Sequence, residues 1–409
     1  MKVRRDYVMS IKSTGESLLL KDLTIYTEEE VIYDGFLFIE QGSIQSYGKI
    51  ADWKEEKENV QTISFPKGSK LIPGMIDIHI HGAKDADAMD GSKDGLGTIA
   101  RILPYEGTTS FLATTMTQGQ EEIEAALESI ASYMKTDNSP GKAEMLGIHL
   151  EGPFINEKRA GAQPLNAIKT ADIELFKKWN ALACDHIRLV TLAPEKENGL
   201  ELAAYLKENG IVASMGHTDA VYEEVVDAIN AGVNHVTHLY NGMRGFHHRD
   251  PGTAGGALLH DELTTEMIVD GVHIHPEIVK LTFKQKGKDK IILITDSMRA
   301  KWLEDGISSL GGQKVIVKDG KALLESGALA GSTLKMNDAL TNMMAFTGCS
   351  LEDVIIMGSY NPARQIGVLD KKGSIKTGKD ADLVVLNANN EVVLTICKGI
   401  IATKSGGAL

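Results

Sequence analysis

Two histidines, His79 and His81, close the apolar run Leu71-Ile-Pro-Gly-Met-Ile-Asp-Ile-His-Ile-His81. On a β-strand this spacing sends both imidazoles to one face. Two neutral imidazoles converging from one strand make half of a metal site. Taken alone, the pair could equally be polar residues meeting solvent at a strand end. Other apolar runs, however, stop on residues of the same kind: His149-Leu-Glu151, His217, His238, Asp270-Gly-Val-His273 and Asp296. His79, His81, His217 and His238 offer imidazole nitrogen, and Glu151 and Asp296 offer carboxylate oxygen. That donor set suits a divalent zinc, iron, manganese or cobalt ion. Six donors exceed the three protein ligands typical of one catalytic zinc. Two ions bridged by a carboxylate, Glu151 being the best placed, account for the surplus. A single-ion alternative leaves His79 and His81 behind the ligands.

The remaining histidines carry less. His149 shares a strand face with Glu151 and reads as packed behind the ligands, and His235 reads as structural. His247 and His248 lie in a Gly/Arg-rich loop as neighbours of solvent or substrate. His186, His260 and His275 have no partner visible in sequence.

Residues so scattered need a frame that gathers strand ends. Eight apolar runs serve as strands: 76–81, 108–115, 145–151, 187–193, 211–216, 234–238, 266–270 and 291–296. Between most of them lie amphipathic helical patterns, at 121–134, 173–182, 200–208, 220–231 and 276–284. Eight strands alternating with helices predict an α/β fold, a (β/α)8 TIM-like barrel, whose active site lies at the C-terminal rim. Both chain ends read instead as short strands punctuated by turns. Neither end alone can bury a core, so together they predict a small β-sandwich domain. The expected division is residues 1–70 for the N-terminal part of the β domain, 71–368 for the catalytic barrel, and 369–409 for the C-terminal part.

Composition narrows the function classes. Of 409 residues, 43% are hydrophobic and 24% charged, enough apolar material for a sizeable core. The net charge of −13 argues against nucleic acid and anionic membranes as partners, although a local basic pocket can still take an anionic small molecule. Three scattered cysteines without CxxC spacing suit a reducing compartment. No targeting segment or membrane span is visible, so a cytoplasmic location is expected. Anion recognition points to Asn241-Gly-Met-Arg-Gly-Phe-His-His-Arg-Asp-Pro-Gly252, where the backbone can approach closely and Arg244 or Arg249 can make bidentate contacts. Leu329-Ala-Gly-Ser332 is a second glycine turn able to offer backbone donors.

These segments together resemble the N-acetylglucosamine-6-phosphate deacetylases of the amidohydrolase superfamily. The stretches that carry the likeness are Pro73-Gly-Met-Ile-Asp-Ile-His-Ile-His-Gly82, His149-Leu-Glu-Gly-Pro-Phe154, Arg159-Ala-Gly-Ala-Gln-Pro164 and Met215-Gly-His-Thr-Asp219. They continue through Thr237-His-Leu-Tyr-Asn-Gly-Met243, Asp270-Gly-Val-His273, Thr295-Asp296, Leu329-Ala-Gly-Ser-Thr333 and Asn361-Pro-Ala363. The likeness spans the chain in order, and His-Leu-Glu-Gly-Pro-Phe with His-Leu-Tyr-Asn is its most specific part. It implies metal-dependent hydrolysis of the acetamide of N-acetylglucosamine 6-phosphate, a step of amino-sugar catabolism. It implies Glu151, His217 and His238 as the main metal ligands, His79 and His81 as the mark of members with a second ion, and Asp296 as acid and base. Sugar-phosphate contacts are implied at Ala162, Gln163, Asn241, Gly242, Arg249, His273, Leu329, Ala330 and Gly331. A homodimer is implied as well, with a neighbour's loop closing the phosphate end. Two features depart from the pattern. Gln163 stands where some members have histidine, and residues 297–302 (Ser-Met-Arg-Ala-Lys-Trp) are bulkier than the family's small-residue run, which bears on the acyl side of the pocket. Two other readings compete: an amidohydrolase acting on a cyclic amide or an N-acyl amino acid, and a metal-free barrel kept for binding. The second predicts lost ligands, whereas all six donors are present.

Overall fold

A computed structural model of the protein describes residues 17–54 and 59–404. Eight parallel strands form one sheet: β1 (Met75–Ile80), β2 (Thr108–Thr114), β3 (Glu144–Glu151), β4 (Ile187–Leu192), β5 (Val212–Met215), β6 (His235–Val236), β7 (Thr264–Ile268) and β8 (Ile291–Ile294). Each pairs in parallel with the next. The ladder closes at the C-terminal rim, where the Asp296 N–H donates to the His79 carbonyl (2.8 Å) and the His81 N–H to the Ser297 carbonyl (2.9 Å). The strands are buried on both faces, as β-branched and apolar runs such as Ile291-Ile-Leu-Ile294 require. Helices return the chain on the outside. Gln120–Thr136 buries Ile123, Leu127 and Ile130 at i, i+4 and i+7 against the strands. Asp172 starts Ile173–Leu182 by accepting the N–H groups of Glu174 and Leu175.

The two chain ends pair directly. Leu383–Leu386 runs antiparallel to Lys70–Pro73, within an eight-stranded sheet that also holds Ser17–Tyr26, Val31–Glu40, Ser43–Lys49 and Val60–Ser64. Leu20 and Leu37 from one end share a core with Leu383, Val385 and Ile396 from the other. Lys70–Pro73 then leads through Gly74 into β1, so this domain delivers the strand that carries His79. A Cβ at Gly74 would lie 2.0 Å from the Thr109 hydroxyl, which leaves glycine alone able to make the passage. A buried ion cluster ties the sheet to the barrel floor. The Lys372 ammonium contacts Glu144 at the start of β3 (2.6 Å), Asp380 (3.0 Å) and Asp382.

One element lies outside the sequence reading. Gly306–Leu310, Gln313–Lys318 and Lys321–Leu324 form a three-stranded antiparallel sheet between β8 and the helix Met336–Thr347. Its inner side chains Leu310, Val315, Val317 and Ala322 pack on Met116, Met298 and Ala300. No helix among the described residues is long and apolar enough to cross a membrane.

Candidate metal centre

Each polar strand end now has a place. β1 carries His79 and leads into His81, β3 ends on Glu151, β5 leads through Gly216 to His217, β6 leads to His238, and β8 leads through Thr295 to Asp296. His217, His238 and Asp296 have φ of 47°, 30° and 49°. In this left-handed region the chain turns sharply out of the strand, which swings the side chain over the barrel mouth.

The side chains converge around Glu151. Its Oε1 lies 3.2 Å from His217 Nε2, 3.1 Å from His238 Nε2 and 3.5 Å from His79 Nε2, while Oε2 lies 3.4 Å from His81 Nε2. Asp296 Oδ1 lies 3.1 Å from His81 Nε2 and 3.4 Å from His79 Nε2. Two triads result, Glu151–His217–His238 and His79–His81–Asp296, each with its ligand atoms within 4.8 Å of one another. Glu151 touches both.

The far nitrogen of each ring fixes its tautomer. Nδ1–H of His217 donates to the Arg159 carbonyl (2.9 Å), that of His238 to the Asn241 carbonyl (3.0 Å) and that of His81 to the Thr114 carbonyl (3.2 Å). His79 Nδ1–H donates to the Glu266 carboxylate (3.0 Å). All four rings therefore present an Nε2 lone pair to one small volume. His217 and His238 face each other with Nε2 atoms 3.2 Å apart and no proton to share, and His79 Nε2 is buried without a hydrogen-bond partner. A divalent cation satisfies this arrangement: N and O donors in sets of three, lone pairs convergent, outer nitrogens held.

The electrostatics follow from the same packing. Burial would depress the His79 imidazolium, but Asp296, Glu266 and Glu151 around it push its pKa up to about 10, so without a cation in the cluster a proton takes the Nε2 position that a metal ion would otherwise fill. Burial would raise the Glu151 carboxyl, yet His79, His217 and His238 hold it well below the usual carboxylate range. The centre attracts positive charge strongly.

A cavity of about 320 Å³ opens over this cluster. Of the residues singled out for substrate contact, Ala162, Gln163, Asn241, Gly242, His273, Leu329 and Gly331 line it. Ala330 is buried in the packing under the three-stranded insert, between two neighbours that reach the cavity. Gln163 accepts the Thr117 N–H (2.8 Å) and donates to Glu151 Oε2 (2.6 Å), so its amide positions the shared carboxylate. Gly242 sits at φ 58°, and a Cβ there would come within 2.9 Å of His217 Nδ1. His273 is held by Asp270 through its Nδ1 at 2.6 Å.

Neither loop arginine enters this cavity. Arg244 is bound by Asp219 (3.2 Å) and Asp250 (2.8 Å). Arg249 is exposed, its guanidinium on the ring of its neighbour His248, because the loop after β6 projects outward. The bulky segment 297–302 also turns away. Met298 and Ala300 pack beneath the insert, and Lys301 and Trp302 bind the buried Glu106 at 2.5 and 3.0 Å. Met116 from the loop after β2 and Leu310 from the insert supply the wall instead. The sequence reading also passed over Glu266. A lone acid in the apolar strand Thr264–Ile268 was the available signal, since such a residue must find buried partners.

Comparison with known proteins agrees with this geometry. Residues 71–402 match the amidohydrolase family, so the chain belongs to the amidohydrolases. Within them it belongs with the N-acetylglucosamine-6-phosphate deacetylases. It is 51% identical over 389 residues to the protein of that name from Bacillus subtilis (strain 168), covering 95% of this chain and 98% of the relative. It is 35% identical to the N-acetylgalactosamine-6-phosphate deacetylase of Escherichia coli O157:H7 over 94% of this chain and 99% of that one. The crystal structure of the N-acetylglucosamine-6-phosphate deacetylase from Thermotoga maritima superposes with a TM-score of 0.85 at 35% identity, covering 95% of this chain and 100% of that one.

Proposed function

We propose that this protein hydrolyses the acetamide of N-acetyl-D-glucosamine 6-phosphate to D-glucosamine 6-phosphate and acetate. The observation that carries the reading is the pair of histidine–carboxylate triads that meet at Glu151 on the floor of a sugar-sized cavity. Glu151, His217 and His238 would hold the principal ion, and His79, His81 and Asp296 a second, with zinc, iron, manganese and cobalt all compatible with the donors. A bound divalent ion supplies Lewis-acid polarisation of the amide carbonyl and acidifies water toward a pKa of ~7. Asp296 reaches the cavity, takes the proton of the attacking water and delivers it to the amine nitrogen as the C–N bond breaks. Gln163 steadies Glu151, and His273, fixed by Asp270, adds a polar group to the wall. Ala162, Asn241, Gly242 and the 329–331 turn orient the sugar phosphate, with Leu329, Ala330 and Gly331 contributing backbone.

The phosphate end is completed by a second copy of the chain. Phe246, Leu259 and Leu281 are more than half exposed and, with Ile278, surround a groove of about 620 Å³ that runs to Tyr240 and His273. A homodimer buries this apolar face and brings the exposed loop of one copy, with Arg249, to the cavity mouth of the other. We assign catalysis to residues 71–368 and a scaffolding role to the β domain, 1–70 with 369–409. A cytoplasmic location fits the sugar-phosphate substrate.

The test is acetate release from purified, metal-loaded protein on N-acetylglucosamine 6-phosphate, its 4-epimer and unphosphorylated N-acetylglucosamine. The reading expects a kcat/KM for the first at least a hundredfold above that for the unphosphorylated sugar. Equal values for those two would overturn phosphate recognition, and preference for the epimer would reassign the sugar.

A further inference from the structure

Three of the four clustered imidazoles are oriented by backbone carbonyls. His79 alone is oriented by a carboxylate, that of Glu266. Glu266 is wholly buried in the middle of β7 and points into the barrel. Its Oε2 accepts two N–H groups, from His79 Nδ1 (3.0 Å) and from the backbone of His238 (3.1 Å). Its Oε1 accepts from His235 Nε2 (3.1 Å). An ionised carboxylate only accepts, so the proton on His79 lies at Nδ1 and the lone pair at Nε2 faces Glu151 and Asp296.

We infer that Glu266 is the positioning residue that sets occupancy of the second metal position, His79–His81–Asp296. This rests on the two-ion reading given above. The argument is one of asymmetry. The rings of the first triad are oriented by Arg159 and Asn241, and Glu266 meets that triad only through the backbone N–H of His238, whereas His79 has no other group at Nδ1. A carboxylate behind a ligating imidazole also raises the basicity of the ring, and losing such a partner weakens metal binding by about 10–100-fold. Within the second triad only His79 depends on Glu266, for His81 leans on the Thr114 carbonyl. His235, whose Nδ1 has no partner in its buried setting, serves here as a brace for Glu266.

The test is a titration of metal-free protein with Co²⁺ and, separately, Zn²⁺, followed by calorimetry, with bound metal counted by elemental analysis. The variants are Glu266→Gln, His79→Asn and the double variant, each checked by circular dichroism and melting temperature. The wild type is expected to bind two equivalents. Glu266→Gln retains volume and one acceptor oxygen, and it should lose 10–100-fold in affinity at the weaker step with less than a twofold change at the tighter one. Because Glu266 acts through His79, adding Glu266→Gln to His79→Asn should cause no further loss. Two unaltered steps in Glu266→Gln would overturn the inference, as would an equal weakening of both or additive losses in the double variant. A wild type that takes up one equivalent would instead overturn the two-ion reading and the inference with it. If Glu266→Gln fails to fold, the same comparison is made with His235→Asn, expected to reproduce a smaller loss confined to the weaker step.

Discussion

Asp296→Asn separates proton transfer from metal binding and folding. Asparagine is nearly isosteric and accepts left-handed backbone as readily as aspartate, so φ of 49° and the bonds from Asp296 N–H to His79 and from Ser332 N–H to the Asp296 carbonyl should survive. The side chain cannot take a proton from water at neutral pH. General acid–base catalysis contributes about 10²–10⁴-fold, or about 2.7–5.4 kcal/mol at 1.36 kcal/mol per decade. Asp296 Oδ1 also belongs to the second triad, 3.1 Å from His81 Nε2, whereas Glu151, His217 and His238 hold together without it. The expected outcome is a kcat reduced by at least 10², a KM within severalfold of wild type, retention of about one tightly bound ion, and a melting temperature within a few degrees. Steady-state kinetics on N-acetylglucosamine 6-phosphate, run beside elemental analysis of the same preparation, reads all of these. Turnover near the wild-type value with metal content intact would remove Asp296 from the chemistry.

Lys372→Met leaves the carboxylates of Asp380 and Asp382 without their ammonium partner, Glu144 keeping Lys398, and should destabilise the fold by about 3–5 kcal/mol. Burial already raises the Asp382 carboxyl, so protonation favours the folded state; the loss should be full at pH 7.5 and smaller at pH 5.5, as urea unfolding at the two values will show. Lys286 has its pKa lowered to about 8 by burial, and a lysine lowered in the folded state opposes folding below that value. Stability relative to Lys286→Met should therefore rise between pH 8 and the unfolded pKa near 10.4, and a flat difference across that window would contradict the shift. Arg249→Ala should lower kcat/KM for the phosphorylated sugar without altering metal content. Mixed in equal amounts and reassorted with Asp296→Asn chains, it should recover about a quarter of wild-type activity if Arg249 acts across a twofold interface, and none if it acts within its own chain.

The site was legible where a polar residue halts an apolar strand, since a barrel turns such positions into neighbours. His79, His81, Glu151, His217, His238 and Asp296 all carry that mark, and the pairing of the two β-rich ends was legible from their matching texture. Glu266 carries no such mark. It lies inside β7, two residues before the strand ends, and its meaning comes from packing against His79, 187 positions away. Arg249 shows the opposite failure. Its type and loop announce an anion contact, but residue order does not say whether a loop folds over its own barrel or away from it. The insert over the mouth alternates Val315 and Val317 inward with exposed neighbours, a readable strand whose docking on Met116 and Met298 only the fold determines.

The backbone at the rim joins folding and chemistry in the same bonds. Non-glycine residues at positive φ are strained by about 1–3 kcal/mol each, and His217, His238 and Asp296 all lie there. Each is held by a specific backbone bond: the Asn156 N–H on the His217 carbonyl (2.8 Å), the His238 N–H on Glu266, and the Asp296 N–H on the His79 carbonyl. The last of these is also one of the bonds that close the end of β8 onto β1. A barrel that failed to close would thus lose the approach of Asp296 to His79 and His81, and with it the second triad. The first triad draws on β3, β5 and β6. Closure of the barrel and assembly of the second triad are therefore coupled through Asp296, while the first triad meets that seam only through the contacts of Glu151 with His79 and His81 and of Glu266 with His79 and His238.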